Sequence, residues 1–253
     1  LEEENVDYIC VAGLNEAIEL RNNNIKLPIL VMGYTPDDCL DIAIQHNITL
    51  TIFSKEQAEI LSNKSKKTTQ KANIHIKIDT GMGRIGYRVN EESADEIVKI
   101  SKLPNIDVNG MFTHFSTADE ADKAYTLEQY NKFVKMNDML EERGLHIPVK
   151  HAANSAAIMD FDNMMFNMVR PGIILYGAYP SDEVKKENLS LSPAMSIKTH
   201  VSYVKDVNEG DSISYGRKYT APSKRRIATI PVGYADGFIR AYSKGGKVLV
   251  RGE

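Results

Sequence analysis

The feature that most constrains this chain is an alternation. From residue 7 onward, short β-rich runs are each followed by a longer segment of helical periodicity. The strand candidates are residues 7–12 ("DYICVA"), 27–33 ("LPILVMG"), 48–53 ("ITLTIF"), 73–79 ("NIHIKID"), 108–115 ("VNGMFTHF"), 147–152 ("IPVKHA") and 166–172 ("FNMVRPG"). Between them lie "NEAIELRNN", "DDCLDIAIQH", "KEQAEILSNK", "EESADEIVKISK" and the long "ADKAYTLEQYNKFVKMNDMLEERG", in which Tyr130, Phe133, Val134 and Leu140 share a helical spacing. Strand then helix, repeated, means parallel βαβ units, and two architectures repeat this way: the open doubly wound sheet and the closed (β/α)8 barrel. The unbroken run favours an α/β fold of the TIM-barrel type. Since such a barrel closes on eight strands, the first is expected upstream of Leu1. After about residue 190 the style changes to short alternating runs, "MSIKTHVSYVKDV", "SISYG", "RRIATIPVGYADG" and "GKVLVRG", separated by hairpin-type turns. The expected organisation is therefore a barrel over residues 1–190 lacking its N-terminal unit, then a truncated, mainly β domain over residues 191–253 that ends on an unpaired strand. The chain reads as cut at both ends. With two bare sheet edges, it is expected to aggregate or fail to fold by itself.

Composition excludes several function classes. A net charge of −3 over 253 residues gives no general attraction to nucleic acid or to an anionic membrane, so neither is expected as a partner. Basic clusters such as Lys64, Lys66 and Lys67, or Lys224, Arg225 and Arg226, read as solvated faces. The two cysteines, Cys10 and Cys39, form no C-x-x-C and have no histidine at ligand spacing, which argues against a disulfide framework or a metal site and for a reducing cytoplasm. No stretch approaches the roughly 18 apolar residues of a membrane span.

"KIDTGMGRIGYR" contains a literal G-x-G-x-x-G at Gly81, Gly83 and Gly86. A dinucleotide fingerprint needs those glycines to open a helix directly, so that the helix N-terminus faces a pyrophosphate. Here "YRVN" intervenes before a helix that Asn90 can cap, and Arg84 occupies a position where the fingerprint wants backbone room. The glycines are better read as a turn.

What remains is a strand whose C-terminal edge presents Lys77, Asp79 and Arg84. The C-terminal ends of barrel strands form the active face. Other strand ends bring Thr113, His114 and Asp119, then His151, Asn154 and Ser155, and finally Arg170 with the Gly172 and Ile173 amides. Cations, hydroxyls and amides converging on one mouth suit an anion such as a phosphate.

The ordered motifs "KIDTGMGRIG", "GMFTHFSTADE", "HAANSAA", "FNMVRPGIILYG", "SYGRKYTA" and "IPVGYADGFIRAYS" resemble those of the pyridoxal-phosphate-dependent alanine racemases, over essentially the whole chain. The resemblance implies a (β/α)8 barrel followed by a β-rich domain, pyridoxal 5'-phosphate as cofactor, alanine as substrate, D-alanine formation for peptidoglycan, and a homodimer whose active sites are shared between subunits. It implies that Arg170 donates to the cofactor's ring nitrogen. Because arginine only donates, that nitrogen stays unprotonated and is a weaker electron sink, which favours racemisation over transamination. Ser155, Asn154 and the Gly172 and Ile173 amides would serve the cofactor phosphate, with His114 and His151 near Arg170. Tyr215 matches the catalytic tyrosine. A free phenol ionises near pH 10, so its use as a base requires stabilisation, for which His114 and His151 are the candidates. Arg84 matches the holder of the substrate carboxylate, and Lys77 a lysine that is carbamylated in many members. Asp119, Tyr234 and Arg240 match residues of the substrate access corridor.

One departure matters. The family's cofactor-binding lysine lies in a motif of the K-A-x-A-Y-G-H-G kind, and these 253 residues contain no such motif. Racemisation by this route uses two bases, lysine and tyrosine, on opposite faces of the α-carbon, so this exact chain is expected to be inactive by itself. The alternatives are a serine racemase of the glycopeptide-resistance type and a non-catalytic cofactor-binding remnant.

Overall fold

The computed structural model describes residues 3–4, 6–68 and 70–252. The chain divides into two units, residues 1–194 and 195–253.

The first unit runs β1 (Ile9–Val11), α1 (Leu14–Asn22), β2 (Ile29–Val31), α2 (Leu40–Gln45), β3 (Thr49–Ile52), α3 (Lys55–Ser65), β4 (Ala72–Asp79), β5 (Tyr87–Arg88), α4 (Glu91–Ser101), β6 (Ile106–Phe112), α5 (Ala124–Glu142), β7 (Val149–His151) and α6 (Ser155–Asp160). The strands pair in parallel in the order β1-β2-β3-β4-β6-β7, with the short β5 alongside the end of β4. This is the expected α/β architecture, a parallel portion of a barrel of the (β/α)8 type.

Side chains alternate across a strand, so each strand has two fates. Ile74, Ile76 and Ile78 of β4 join Val31, Leu50, Ile52 and Met111 in a core shared with Ala17, Ala58, Leu61, Ile97 and Phe133 of the helices. Burial of each such side chain contributes roughly 1.5–3 kcal/mol, which fixes the strand register. The other face of β4 is left to His75, Lys77 and Asp79. Two helices start as their sequences suggest: the Ser54 hydroxyl accepts from the Gln57 amide (3.2 Å) ahead of α3, and the Asn90 side chain accepts from the Ser93 amide (2.8 Å) ahead of α4.

One expected strand does not form. Residues 166–172 are reduced to a single bridge between His151 and Met168. Phe166 takes a left-handed backbone (φ 52°), and the Asn167 side chain does the pairing instead, accepting from the Lys150 amide (2.8 Å) and donating to the Pro148 carbonyl (2.6 Å).

In the second unit, β8 (Tyr203–Val207) pairs antiparallel with β11 (Arg225–Thr229), and β9 (Ser212–Ile213) with β10 (Tyr219–Thr220). The unpaired strand expected at "KVLVRG" is absent: residues 246–252 have no strand structure, with Gly245 just ahead of them (φ 131°) and Arg251 among them (φ 57°) at positive φ.

Candidate active site

The site is built on one rung of the sheet. Lys77 of β4 lies beside Phe112 of β6, and Phe112 beside His151 of β7. The Phe112 ring is a platform: His151 stacks on it (centroids 4.7 Å apart, 8° between planes), the Lys77 ammonium lies 4.6 Å from its centre and the Arg170 guanidinium carbon 5.5 Å. Arg170 arrives directly after the His151–Met168 bridge, its backbone amide donating to the Ala153 carbonyl (3.0 Å).

Arg170 is 8% exposed and Lys77 2%, and neither has a carboxylate within ion-pair distance among the described residues. The guanidinium is tied inward instead. Its Nη1 donates to His151 Nδ1 (2.7 Å), and its Nη2 to the carbonyls of Thr113 (2.8 Å) and Ala152 (3.0 Å), with His114 Nδ1 at 3.3 Å. A guanidinium has five N–H groups, so Nε–H and one Nη1–H are left over. Burial lowers the Arg170 pKa only to about 10, and it stays cationic at neutral pH.

That fixed charge dominates its neighbours. Burial first, then repulsion from Arg170, pushes His114 down to about 3 and His75 to about 4, and holds His151 well below the usual imidazole range. All three rings are therefore neutral near pH 7. Lys77 falls to about 7 through burial, then Arg170 and Arg84, with Asp79 opposing.

The glycine loop serves this site. Asp79 Oδ1 accepts from the Gly81 and Gly83 amides (3.0 Å each), so those amides are committed to the protein's own carboxylate. A Cβ on Gly86 would come within 2.6 Å of the Asp79 backbone nitrogen, so only glycine lets the loop fold back along β4. The loop leaves Arg84 exposed at the rim, close enough for its charge to act on Lys77 and His114.

At the N-terminus of α6 the run "AANSAA" allows close packing: Ala152, Ala153, Ala156 and Ala157 are buried with Phe115 and Ile174. This seats the Ser155 hydroxyl, which accepts from the Gly172 amide (2.8 Å) and keeps its own hydrogen available. Asn154 is the helix cap, its Oδ1 accepting from the Ala157 amide (3.1 Å) and its Nδ2 donating to the Phe115 carbonyl (3.3 Å). A Cβ on Gly172 would meet only the Ser155 hydroxyl, at 3.6 Å, so that side of the backbone is open. Ile173, 47% exposed, begins the 3-10 turn Ile173–Tyr176.

Residues 1–180 match the family model described as "Alanine racemase, N-terminal domain", and residues 194–253 match "Alanine racemase, C-terminal domain". The chain belongs to the alanine racemase family. Among its relatives, an alanine racemase of Clostridium tetani is 50% identical over 244 residues, which make up 96% of this chain and 63% of the relative. The solved alanine racemase of Clostridium difficile 630 is 52% identical, with a TM-score of 0.94, over 100% of this chain and 66% of that one. The chain thus spans about two thirds of the length of these relatives. A histidine racemase from Leuconostoc mesenteroides also matches (29% identity, TM-score 0.83, 94% of this chain and 63% of that one), so the architecture alone does not fix the substrate.

The first unit thus brings together Lys77, His114, His151 and Arg170, with Arg84 at the rim and Ser155, Gly172 and Ile173 at the neighbouring turn. Asp119 is half-buried in the same unit, its carbonyl accepting from the Ser181 hydroxyl. Tyr215, Tyr234 and Arg240 belong to the second unit, where Tyr215 is 83% exposed between two left-handed residues, Ser214 and Gly216. Sequence reasoning did not single out His75 or Phe112. The available signal was the period-two series His75, Lys77, Asp79, three ionisable groups on one face of a strand.

Proposed function

We propose that the protein carrying these residues is a pyridoxal-phosphate-dependent racemase that interconverts L- and D-alanine, working as a homodimer with shared active sites. The observation that carries this is Arg170: a permanent cation, buried without a carboxylate partner among the described residues, near a hydroxyl and an open glycine backbone. Burying such charge uncompensated costs several kcal/mol or more, so the arrangement suits an anionic ligand. The residues fit this cofactor. Two guanidinium hydrogens of Arg170 are left for a ring nitrogen, and the Ser155 hydroxyl, held by the Gly172 amide, can donate to a phosphate together with the Ile173 amide.

When bound, the cofactor withdraws electrons from the substrate's α-carbon and so acidifies its proton. Arg170 is locked as a pure donor, which keeps the ring nitrogen unprotonated and limits that withdrawal to what racemisation requires. His114 and His151, neutral as they are, assist by carrying the influence of Arg170 rather than charge of their own. Arg84 at the rim orients the substrate carboxylate, while Asp119, Tyr234 and Arg240 belong to the access route. Lys77, with an amine pKa of about 7, has the free base needed to add carbon dioxide, losing a proton and becoming a carbamate anion able to hold Arg84.

Tyr215 moves the proton on one face of the α-carbon. In the whole protein, Tyr215→Phe is expected to slow racemisation by a factor on the order of 100–10,000. It should also make exchange of the α-proton with deuterated solvent proceed from one enantiomer only, as read by proton NMR on L- and D-alanine separately. Unchanged, symmetric exchange would remove Tyr215 from the mechanism.

A further inference from the structure

Behind Arg170 lies a third buried ring that the proposed chemistry does not use. His75 is 0% exposed, and its Nδ1 lies 2.9 Å from His151 Nε2. The contact is possible because Gly110, its register partner on β6, has no side chain: a Cβ there would come within 2.4 Å of three atoms of the His75 ring. His75 therefore passes over Gly110 to reach a residue two strands away.

The hydrogen bonds have only one consistent direction. Arg170 can only donate, so His151 Nδ1 must present a lone pair. A neutral His151 then carries its proton on Nε2, which donates to His75 Nδ1, leaving the His75 proton on Nε2. That nitrogen is buried and has no hydrogen-bond partner among the described residues. An imidazole that leaves its own N–H unpaired in order to accept from His151 forgoes a bond worth about 1 kcal/mol, so acceptance at Nδ1 is what this site is arranged to supply. The groups around it agree: Tyr8 packs against the His75 ring (centroids 5.7 Å apart), His151 meets it edge-on (5.1 Å), and the nearby charge is the cationic Arg170.

We propose that His75 is a positioning residue: by accepting at Nδ1 it locks His151 in the Nε2–H tautomer, and so keeps the lone pair of His151 Nδ1 aimed at Arg170 and the guanidinium in one orientation. Its bearing on the cofactor rests on the function proposed above, whereas the tautomers themselves do not.

The test is nitrogen-15 NMR of the histidine side chains in the whole protein, first without cofactor. In the unsubstituted protein, His151 and His75 should each show a protonated Nε2 and an unprotonated Nδ1. A protonated Nδ1 on His75 would overturn the proposal without any variant. In His75→Leu the single His151 tautomer should be lost to a mixture, and in His75→Asn, whose amide oxygen can take the place of Nδ1, it should return. Cofactor affinity, read from the visible absorption of the bound form, should drop by up to roughly tenfold in His75→Leu and recover in His75→Asn. A His151 tautomer unchanged in a folded His75→Leu protein would refute the assignment. Correct tautomers in a protein that binds no cofactor would instead count against the proposed function alone.

Discussion

The two units use apolar residues in opposite ways. In the first, β2 and β3 are buried along their whole length, and the core takes in helices on one side of the sheet. In the second, the only buried apolar side chains among the described residues are Val207 and Ala221, while Met195, Ile197, Tyr203, Val204 and Leu249 stand exposed. Strands of similar composition thus sit in a dense interior in one unit and have almost none in the other. The lesson is that alternation announces a strand but does not supply its cover. The packing of the first unit is its own, whereas the second leaves most of its apolar side chains exposed.

Substitution should break this contrast most clearly at Ile76, which is fully buried in β4. Ile76→Ala is expected to lower unfolding stability by about 3–4 kcal/mol in urea titrations. Lys77, one position on, tests the other face of the same strand. Its folded-state amine gives up its proton near 7, its unfolded one near 10.4, so between those values the unfolded chain binds more protons and stability rises with pH. In cofactor-free protein, Lys77→Met should therefore be more stable than the parent by about 3 kcal/mol below neutral pH, an advantage that shrinks as pH climbs towards 10. A difference independent of pH would show that burial of the ammonium is not what separates the two. The smallest effect belongs to the second unit: Val204→Ala, on the exposed β8, should change stability by no more than about 0.5 kcal/mol.

Most of the first unit was legible because one face of each strand is apolar and the intervening segments carry caps such as Ser54 and Asn90. The expected strand at residues 166–172 was not, because an asparagine side chain there does what backbone groups would do in a ladder, and no pattern of hydrophobicity reports that. "KVLVRG" has the composition of a strand but no strand partner among the described residues, and pairing is a property of two segments. Within the site, Arg170, His151, Lys77 and Ser155 could be named from strand ends, since the chemistry of a barrel gathers there. His75 could not, because it sits mid-strand, where a histidine looks like an interruption. Gly110 was the second half of that signal: a glycine inside a strand marks a place where something else comes close.

The register of β6 against β4 slips by one residue: Ile74 pairs with Val108, but His75 pairs with Gly110, leaving Asn109 as the extra residue of a bulge. Such an insertion is a change of parity. Ahead of it Val108 shares a side with the apolar Ile74, and beyond it Gly110 and Phe112 share a side with His75 and Lys77. Had the strand kept count, the platform under Arg170 would point at the helices, and Met111 would leave the isoleucine-lined core to stand beside Lys77. One surplus asparagine thus decides which half of the strand belongs to the core and which to the chemistry, and a deletion there would exchange them.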